Sequence, residues 1–509
     1  MVALAAGAAI FAVPTAANAA VTSTFANGTL TVTSDDASDN ITLGVAGANI
    51  TAPGVNNVPN DGSVNLVVNG GGGNDNINAS APSFAGTPVI NGGDGDDIIV
   101  GTALIDAIDG GEGNDRITGF RGGETIVGGN GNDVMIWNNG DGNDTNQAGA
   151  GVDETLITEG NADDQNATTQ NGPTVHFERT NAEFTVDSVD TEKLSLTSFS
   201  GNDVLTTGPG VAIGMNIDAG PGDDNITTGA GADRILGDRG NDTVNGAGGD
   251  DTLVWTNGDG NDVMNGDSGF DVIENDLGGA DDQSTLKMEN GRVRYDRINA
   301  PFNLSIGSAE LMQLNTFGGN DSLTTAADVP TNLDVSAGSG NDTIQGGSGN
   351  DRLDGGDGDD VLNTRDGKAD FAVGGAGTDK AFVDSIDAVA ADVESTEAVG
   401  GTPPAPAAGA LKLPKTAKVK KGVASIKVSC PAGTAGCKGS VALFSAKTIK
   451  VGNLRAKLEL GRKSFDVAAG TSKTIKVKLA PGTAKLAKKK KLAVTARVGE
   501  KTSKLTLAF

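Results

Sequence analysis

The chain has 509 residues, of which 77 are glycine and one is histidine, and only 4% are aromatic. That little aromatic bulk excludes one large conventional core, so stability has to come from repetition and bound ions. The net charge of −28 conceals an asymmetry: of 38 basic residues 24 lie in 411–509, and of 66 acidic residues only Glu459, Asp466 and Glu500 do. Cations are the natural partner of the acidic part and an anionic surface that of the basic part.

Residues 1–19 predict a secretory signal peptide, with an apolar run from Val2 to Val13, a breaking Pro14 and a small-residue Ala17-Asn18-Ala19 cleavage site. The run is too short to span a bilayer and no later segment is apolar enough to do so. A secreted, extracellular protein without a membrane span is therefore expected, free or associated with a cell surface.

Three copies of a 118-residue repeat follow, read as modules 20–160, 161–278 and 279–397. Trp137-Asn138-Asn139-Gly140-Asp141-Gly142-Asn143-Asp144 returns as Trp255-Thr256-Asn257-Gly258-Asp259-Gly260-Asn261-Asp262, and Ala162-Asp163-Asp164-Gln165 as Ala280-Asp281-Asp282-Gln283. The later copies open on strand-like alternation, with Val175, Phe177, Phe184, Val186, Leu194 and Leu196 matched by Val293, Tyr295, Phe302, Leu304, Met312 and Leu314. These strands are expected to form capping or connecting coils between repeat blocks.

Inside each copy runs a nine-residue unit, G-G-x-G-x-D-x-U-x with U a large aliphatic, complete at 70–78, 92–100, 110–118, 128–136, 346–354 and 355–363. Looser units keep the phase: Asp224, Asp233, Asp242 and Asp251 recur every nine residues beside Ile226, Ile235, Val244 and Leu253. A disordered Gly/Asp linker has no reason to hold an aspartate and an aliphatic in fixed register. The glycines permit a tight turn that points carbonyls inward, the aspartate supplies charge, and x-U-x is a short strand with its aliphatic inside. Calcium takes six to eight oxygens of this kind.

Nine residues make half a coil, so turns on one side of a flattened roll are eighteen residues apart and stack about 4.8 Å apart. Asp97, Asp115 and Asp133 then form one file, with Asp106 and Glu124 opposite. Asp224 and Asp242 face Asp233 and Asp251, and Asp342 and Asp360 flank the file of Asp351. The expected calcium ligands are these aspartates together with Asp75, Asp144, Asp203, Asp262, Asp271 and Asp321. None is assigned at Glu124, which departs from aspartate, or in the degenerate unit of Asp370 and Asp379. A metal-free roll is expected to be marginal, with several Ca²⁺ driving its folding.

The units at 110–118, 128–136 and 346–363 resemble the RTX, or haemolysin-type, calcium-binding repeats. The resemblance implies an all-β chain of right-handed parallel β-roll modules, with ions held between successive turns by aspartates and backbone carbonyls. One departure is the N-terminal export signal, since RTX toxins and proteases export from the C-terminus. RTX proteases also carry an H-E-x-x-H zinc site, which one histidine cannot build. His176 is expected to face solvent, Trp137 and Trp255 to plug the coil rather than stack on sugar, and no catalytic residue is assigned.

A Pro/Ala-rich linker, 398–410, leads to a basic segment, 411–509, with alternating stretches such as Ser425-Ile426-Lys427-Val428 and Thr474-Ile475-Lys476-Val477-Lys478-Leu479. They predict an antiparallel, Ig-like β-sandwich. In an exported chain Cys430 and Cys437 are expected to pair as a disulfide. The Lys488–Lys491 run is either a solvated loop or a grip on an anionic cell-surface polymer, and specific nucleic-acid reading is not expected with so few aromatics nearby. The expected function is calcium binding with the metal acting structurally. An adhesin or matrix protein with a calcium-stiffened stalk and a basic attachment domain is the rival, and an enzyme with accessory repeats is left no room for a catalytic domain.

Overall fold

The structure, a computed structural model, describes residues 21–398 except 183 and 301, then 416–420, 423–429, 437–445, 449–451, 454–456, 459–467, 471–479, 491–498 and 501–508. The expected signal peptide, nearly all of the linker, Cys430 of the expected disulfide and Lys488–Lys490 lie outside these residues. No helix occurs among the described residues, and so no helix is long and apolar enough to cross a membrane.

Two compact units divide the chain, one ending at Gly278 and resumed by Ser284–Asn315, the other made of Gly279–Gln283 and the residues from Thr316 onward. In the first unit, each x-U-x triplet forms a short strand that pairs in parallel with the triplet two nonapeptides later. Ile98, Ile99 and Val100 lie on Arg116, Ile117 and Thr118, which lie on Val134, Met135 and Ile136. The intervening half-coils build the facing sheet, where Ala107–Glu112 pairs in parallel with both Val89–Asp94 and Thr125–Asn130. The period-two pleat turns one aliphatic per triplet inward. Ile77, Ile99, Ile117 and Met135 from one sheet therefore meet Ile90, Ile108 and Ile126 from the other, all fully buried. This is the expected β-roll.

The turns hold their shape through glycine at close approaches. At Gly113, φ is 130°, and a Cβ there would overlap the carbonyl of Gly95 in the neighbouring coil. A side chain would meet both a steric and a conformational barrier.

The alternating stretch before the second block becomes an antiparallel meander of Gln165–Asn171, Thr174–Arg179 and Phe184–Val189. Its last strand pairs in parallel with Asp144–Ala150 and its first with Val204–Thr207, so the meander is spliced into the roll and connects blocks as expected. Arg292–Arg297 and Phe302–Gly307 repeat the pattern before the third. Trp137 is buried, stacks on Phe184 with ring centroids 3.8 Å apart, and donates its indole N–H to the Gly142 carbonyl at 2.8 Å. Trp255 does the same with Phe302 at 4.0 Å and Gly260 at 3.3 Å. Both tryptophans are core plugs. His176 is half-exposed, as its strand position suggested, with Nδ1 2.6 Å from Asp187 Oδ1.

Within the second unit Ser322–Thr325, Thr343–Gln345, Val361–Asn363 and Lys380–Val383 also pair in parallel. The basic segment forms a separate sheet of seven strands, antiparallel throughout except where Thr416–Lys420 pairs in parallel with Lys501–Ala508. Ala424, Ile426, Val428, Ile475 and Val477 bury one face of it, while Ser425, Lys427, Lys476 and Lys478 are exposed on the other.

Candidate metal centres

In most units the aspartate side chain folds back over the first glycine of its own turn. One carboxylate oxygen, Oδ1, accepts the peptide N–H of the aspartate one coil earlier. The donations run Asp75 to Asp97 at 2.7 Å, Asp97 to Asp115 at 2.8 Å, and Asp115 to Asp133 at 2.8 Å. In the second block they run Asp203 to Asp224, Asp224 to Asp242 and Asp242 to Asp262 on one side. Met215 to Asp233, Asp233 to Asp251 and Asp251 to Asp271 form the other. In the third, Asp321 to Asp342 and Asp342 to Asp360 repeat it, and Leu333 donates to Asp351. Sequence phasing placed Asp97, Asp115 and Asp133, Asp224 and Asp242, Asp233 and Asp251, and Asp342 and Asp360 in these files, and the structure adds Asp75, Asp203, Asp262, Asp271 and Asp321 to them.

The second oxygen behaves differently. Oδ2 of Asp75, Asp97, Asp115, Asp133, Asp203, Asp224, Asp242, Asp251, Asp271, Asp342 and Asp360 is buried and accepts no hydrogen bond. Leaving an ionised oxygen buried and bare is costly, so such atoms call for a cation. The local geometry supplies more oxygen at the same point. A Cβ on Gly92 would overlap both Asp97 Oδ2 and the Gly110 carbonyl, and one on Gly110 both Asp115 Oδ2 and the Gly128 carbonyl. Carboxylate and carbonyl thus converge where only a glycine leaves space. Among the described residues no group of three or more His, Cys, Asp or Glu side chains gathers at one point. A metal here would be held by file carboxylates together with backbone carbonyls, the hard-oxygen set that suits Ca²⁺.

The electrostatics agree. Burial pushes the carboxyls of Asp97 up to about 6, Asp115 to about 7, and Asp242 and Asp251 to about 8, against the pull of the accepted N–H; neighbouring file carboxylates add to the rise at Asp115, Asp242 and Asp251, and Asp96 does so at Asp97. Without a cation each file is a stack of groups that resist ionising.

The structure sets two of the expected ligands apart. Asp106 spends both oxygens on Thr102, accepting its peptide N–H at 2.5 Å and its hydroxyl at 2.7 Å. Asp351 accepts from Leu333 at 2.9 Å and from the Gly347 N–H at 2.8 Å. Asp144 and Asp262 sit in the files as acceptors from Glu124 and Asp242. Glu124, set aside in the sequence, is buried with both carboxylate oxygens unbonded and its pKa raised by burial and by Asp144.

Phasing also missed members. Asp153 accepts from Asp133 at 2.8 Å, Asp370 from Asp351 at 2.7 Å and Asp379 from Asp360 at 2.9 Å, and each keeps a bare, buried Oδ2. The degenerate unit of Asp370 and Asp379 therefore continues the files. Asp153 lies twenty residues beyond Asp133 because the loop after Trp137 lengthens that coil. Its counterpart 118 residues on, Asp271, was assigned, and the long repeat carried the signal.

The family profile described as the RTX calcium-binding nonapeptide repeat (4 copies) matches residues 67–81, 89–106, 100–135, 218–253, 257–274 and 336–368. These segments hold file carboxylates of all three blocks, while Asp144, Asp153, Asp203, Asp321, Asp370 and Asp379 lie outside them. No curated protein matches the chain.

Proposed function

We propose that this chain, built on RTX calcium-binding nonapeptide repeats, is an exported protein in which Ca²⁺ folds and stiffens the β-roll. The observation that carries the reading is the file of buried, bare Oδ2 atoms, which in Asp75, Asp97 and Asp115 lie beside a glycine carbonyl of the next coil and in Asp133 beside that of Ala148. The residues that would hold the ions in the first block are Asp75, Asp97, Asp115, Asp133 and Asp153, with the carbonyls of Gly92, Gly110 and Gly128. Bound calcium supplies the positive charge that lets these carboxylates ionise while buried. The chain's own contribution is to align the oxygens and exclude water. The metal is structural in this reading, and no reaction is assigned to the chain. Extracellular calcium modules commonly have dissociation constants of about 10⁻⁴–10⁻³ M, which would keep the roll loose before export and firm after it.

Isothermal titration of the full chain with CaCl₂ tests this. Saturable binding of several ions per chain is expected, with fewer when Asp97, Asp115 and Asp133 are changed together to Asn. An unchanged stoichiometry in that variant would place the ions elsewhere.

A second reading has its own observation. Lys418 pairs across Ser425 with Lys476, and Lys427 and Lys478 lie exposed on the neighbouring strands of the C-terminal sheet. Directly opposed residues share a face, so these lysines form a basic row suited to an anionic polymer. In that reading the protein is a surface adhesin or matrix component with a calcium-stiffened stalk. Retention on immobilised polyglutamate, lost on raising salt and on deleting 411–509, would support it. Retention that survives the deletion would oppose it.

A further inference from the structure

Where the first two repeat blocks meet, one aspartate file loses its regular neighbour. Asp144 leads into a strand that pairs with Phe184–Val189, opposite Val186, so the meander stands between that coil and the one that Asp164 begins. Asp164 is wholly buried, and its own N–H continues the file by donating to Asp203 Oδ1 at 2.7 Å. At its carboxylate the chain places a guanidinium. Arg179, the last residue of the strand Thr174–Arg179, is itself buried and forms an ion pair with Asp164 Oδ1.

The arginine is held from several sides. Its Nη1 donates to Asn139 Oδ1 at 3.2 Å, in the loop after Trp137, and its guanidinium lies 5.9 Å from the centroid of Phe184. Glu159 adds another buried carboxylate close by, its Oε2 accepting from Asn166 at 2.9 Å and Ser198 at 2.8 Å. Next to this polar cluster lies a hydrophobic core richer than elsewhere in the roll: Trp137, Val175, Phe177, Phe184, Val186 and Leu194 are all buried. The arginine's asparagine and aromatic contacts recur 118 residues on, where buried Arg297 donates to Asn257 at 2.7 Å and lies 5.7 Å from the Phe302 ring, while buried Leu277 stands at the position of Glu159.

We infer that Arg179 is a built-in cation, standing where the rest of the file relies on calcium, so that the meander junction folds without metal. The premise is the calcium reading of the files given above. A guanidinium that is always protonated and anchored by its neighbours neutralises a buried carboxylate at any calcium concentration. The junction also has an aromatic core to bury, whereas a nonapeptide coil contributes one aliphatic per triplet. The chain is then a series of calcium-dependent coils joined through elements that stay folded in calcium-free solution.

Hydrogen–deuterium exchange on the full chain in chelator and in calcium tests this. In chelator, amides of 165–197 should exchange at least about tenfold more slowly than those of the nonapeptide coils 218–253. Arg179→Met should abolish that protection in chelator and regain it when calcium is added, because the emptied position then needs an exchangeable cation. Arg179→Lys, which keeps the charge, should retain part of the protection in chelator. Equal exchange of junction and coils in the wild-type chain would overturn the inference. So would an Arg179→Met chain that stays protected in chelator, or one that loses protection and does not regain it with calcium while Arg179→Lys fails in the same way. Failure of the calcium reading itself would look different, with the coils 218–253 exchanging alike in chelator and calcium.

Discussion

Asp242 gives Oδ1 to the peptide N–H of Asp224 and keeps Oδ2 buried and bare. Such a carboxylate is a liability without metal and a ligand with it, so one substitution should act with opposite sign in the two states. Asp242→Asn keeps the Oδ1 acceptor and removes the charge. In chelator above pH 8 it should stabilise whatever roll persists, since the wild-type carboxyl pushed up to about 8 must ionise while buried. In calcium it should lower affinity by about tenfold or more. Thermal melts paired with calcium titration read both, and a loss in both states would make Asp242 a plain structural residue. Glycine is constrained at the same scale. At Gly131, φ is 146° and a Cβ would overlap the Gly113 carbonyl, so Gly131→Ala should destabilise the calcium-loaded roll by about 1–3 kcal/mol. A melt within a degree of the wild-type would show that the turn relaxes.

The file carboxyls share raised values, and the sign of their pH dependence follows from that. A group whose folded pKa exceeds its unfolded one binds its proton more tightly in the folded state. The stability it adds to the metal-free roll is complete below about pH 4 and is lost as pH rises through the folded values of about 6 to 8. In chelator the roll should therefore be more stable at pH 5 than at pH 8. Calcium competes with those protons, so its apparent affinity should rise over the same interval. Chelator melts and titrations across that range would contradict the account if the roll were firmest at pH 8 without metal.

Packing at the meander obeys a different logic. Trp137 on Phe184 is aromatic burial independent of any ion, and Phe184→Ala should cost about 3–5 kcal/mol of local stability with or without calcium. A cost present only in calcium, read by exchange of 165–197 in both states, would mean that the stack forms only on a metal-loaded roll.

At this scale the limits of sequence reading are visible. The eighteen-residue step was legible because glycine, aspartate and aliphatic share one period, and it located the files and their inward side chains. Asp153 was not placed, because its coil takes twenty residues and breaks that period, and the meander was legible as connecting strands but not in its antiparallel pairing. At Asp106, Thr102 stands where the second turn glycine would, and its hydroxyl and N–H donate to both carboxylate oxygens, a pairing the nine-residue pattern does not reveal. Arg179 carries no signal of its own, since an arginine at the end of a strand reads as solvated until the fold buries it. The basic segment was legible as alternation, and its one parallel pair, Thr416–Lys420 with Lys501–Ala508, was not.

Across the whole molecule, rows of buried carboxylates sit on a core of one aliphatic per triplet, with richer cores at the meander and in the C-terminal sheet. Metal-free protein should then be neither unfolded throughout nor folded throughout. Its coils should be loose while its joints hold. The most direct test is a calcium titration of residues 20–509 followed by far-UV circular dichroism, with chelator and Mg²⁺ controls. A partial β signal in chelator should rise cooperatively with Ca²⁺, fall again on adding chelator, and not respond to Mg²⁺. A spectrum at full β amplitude in chelator and unchanged by calcium would show that the roll sustains itself without metal, and would contradict the central claim.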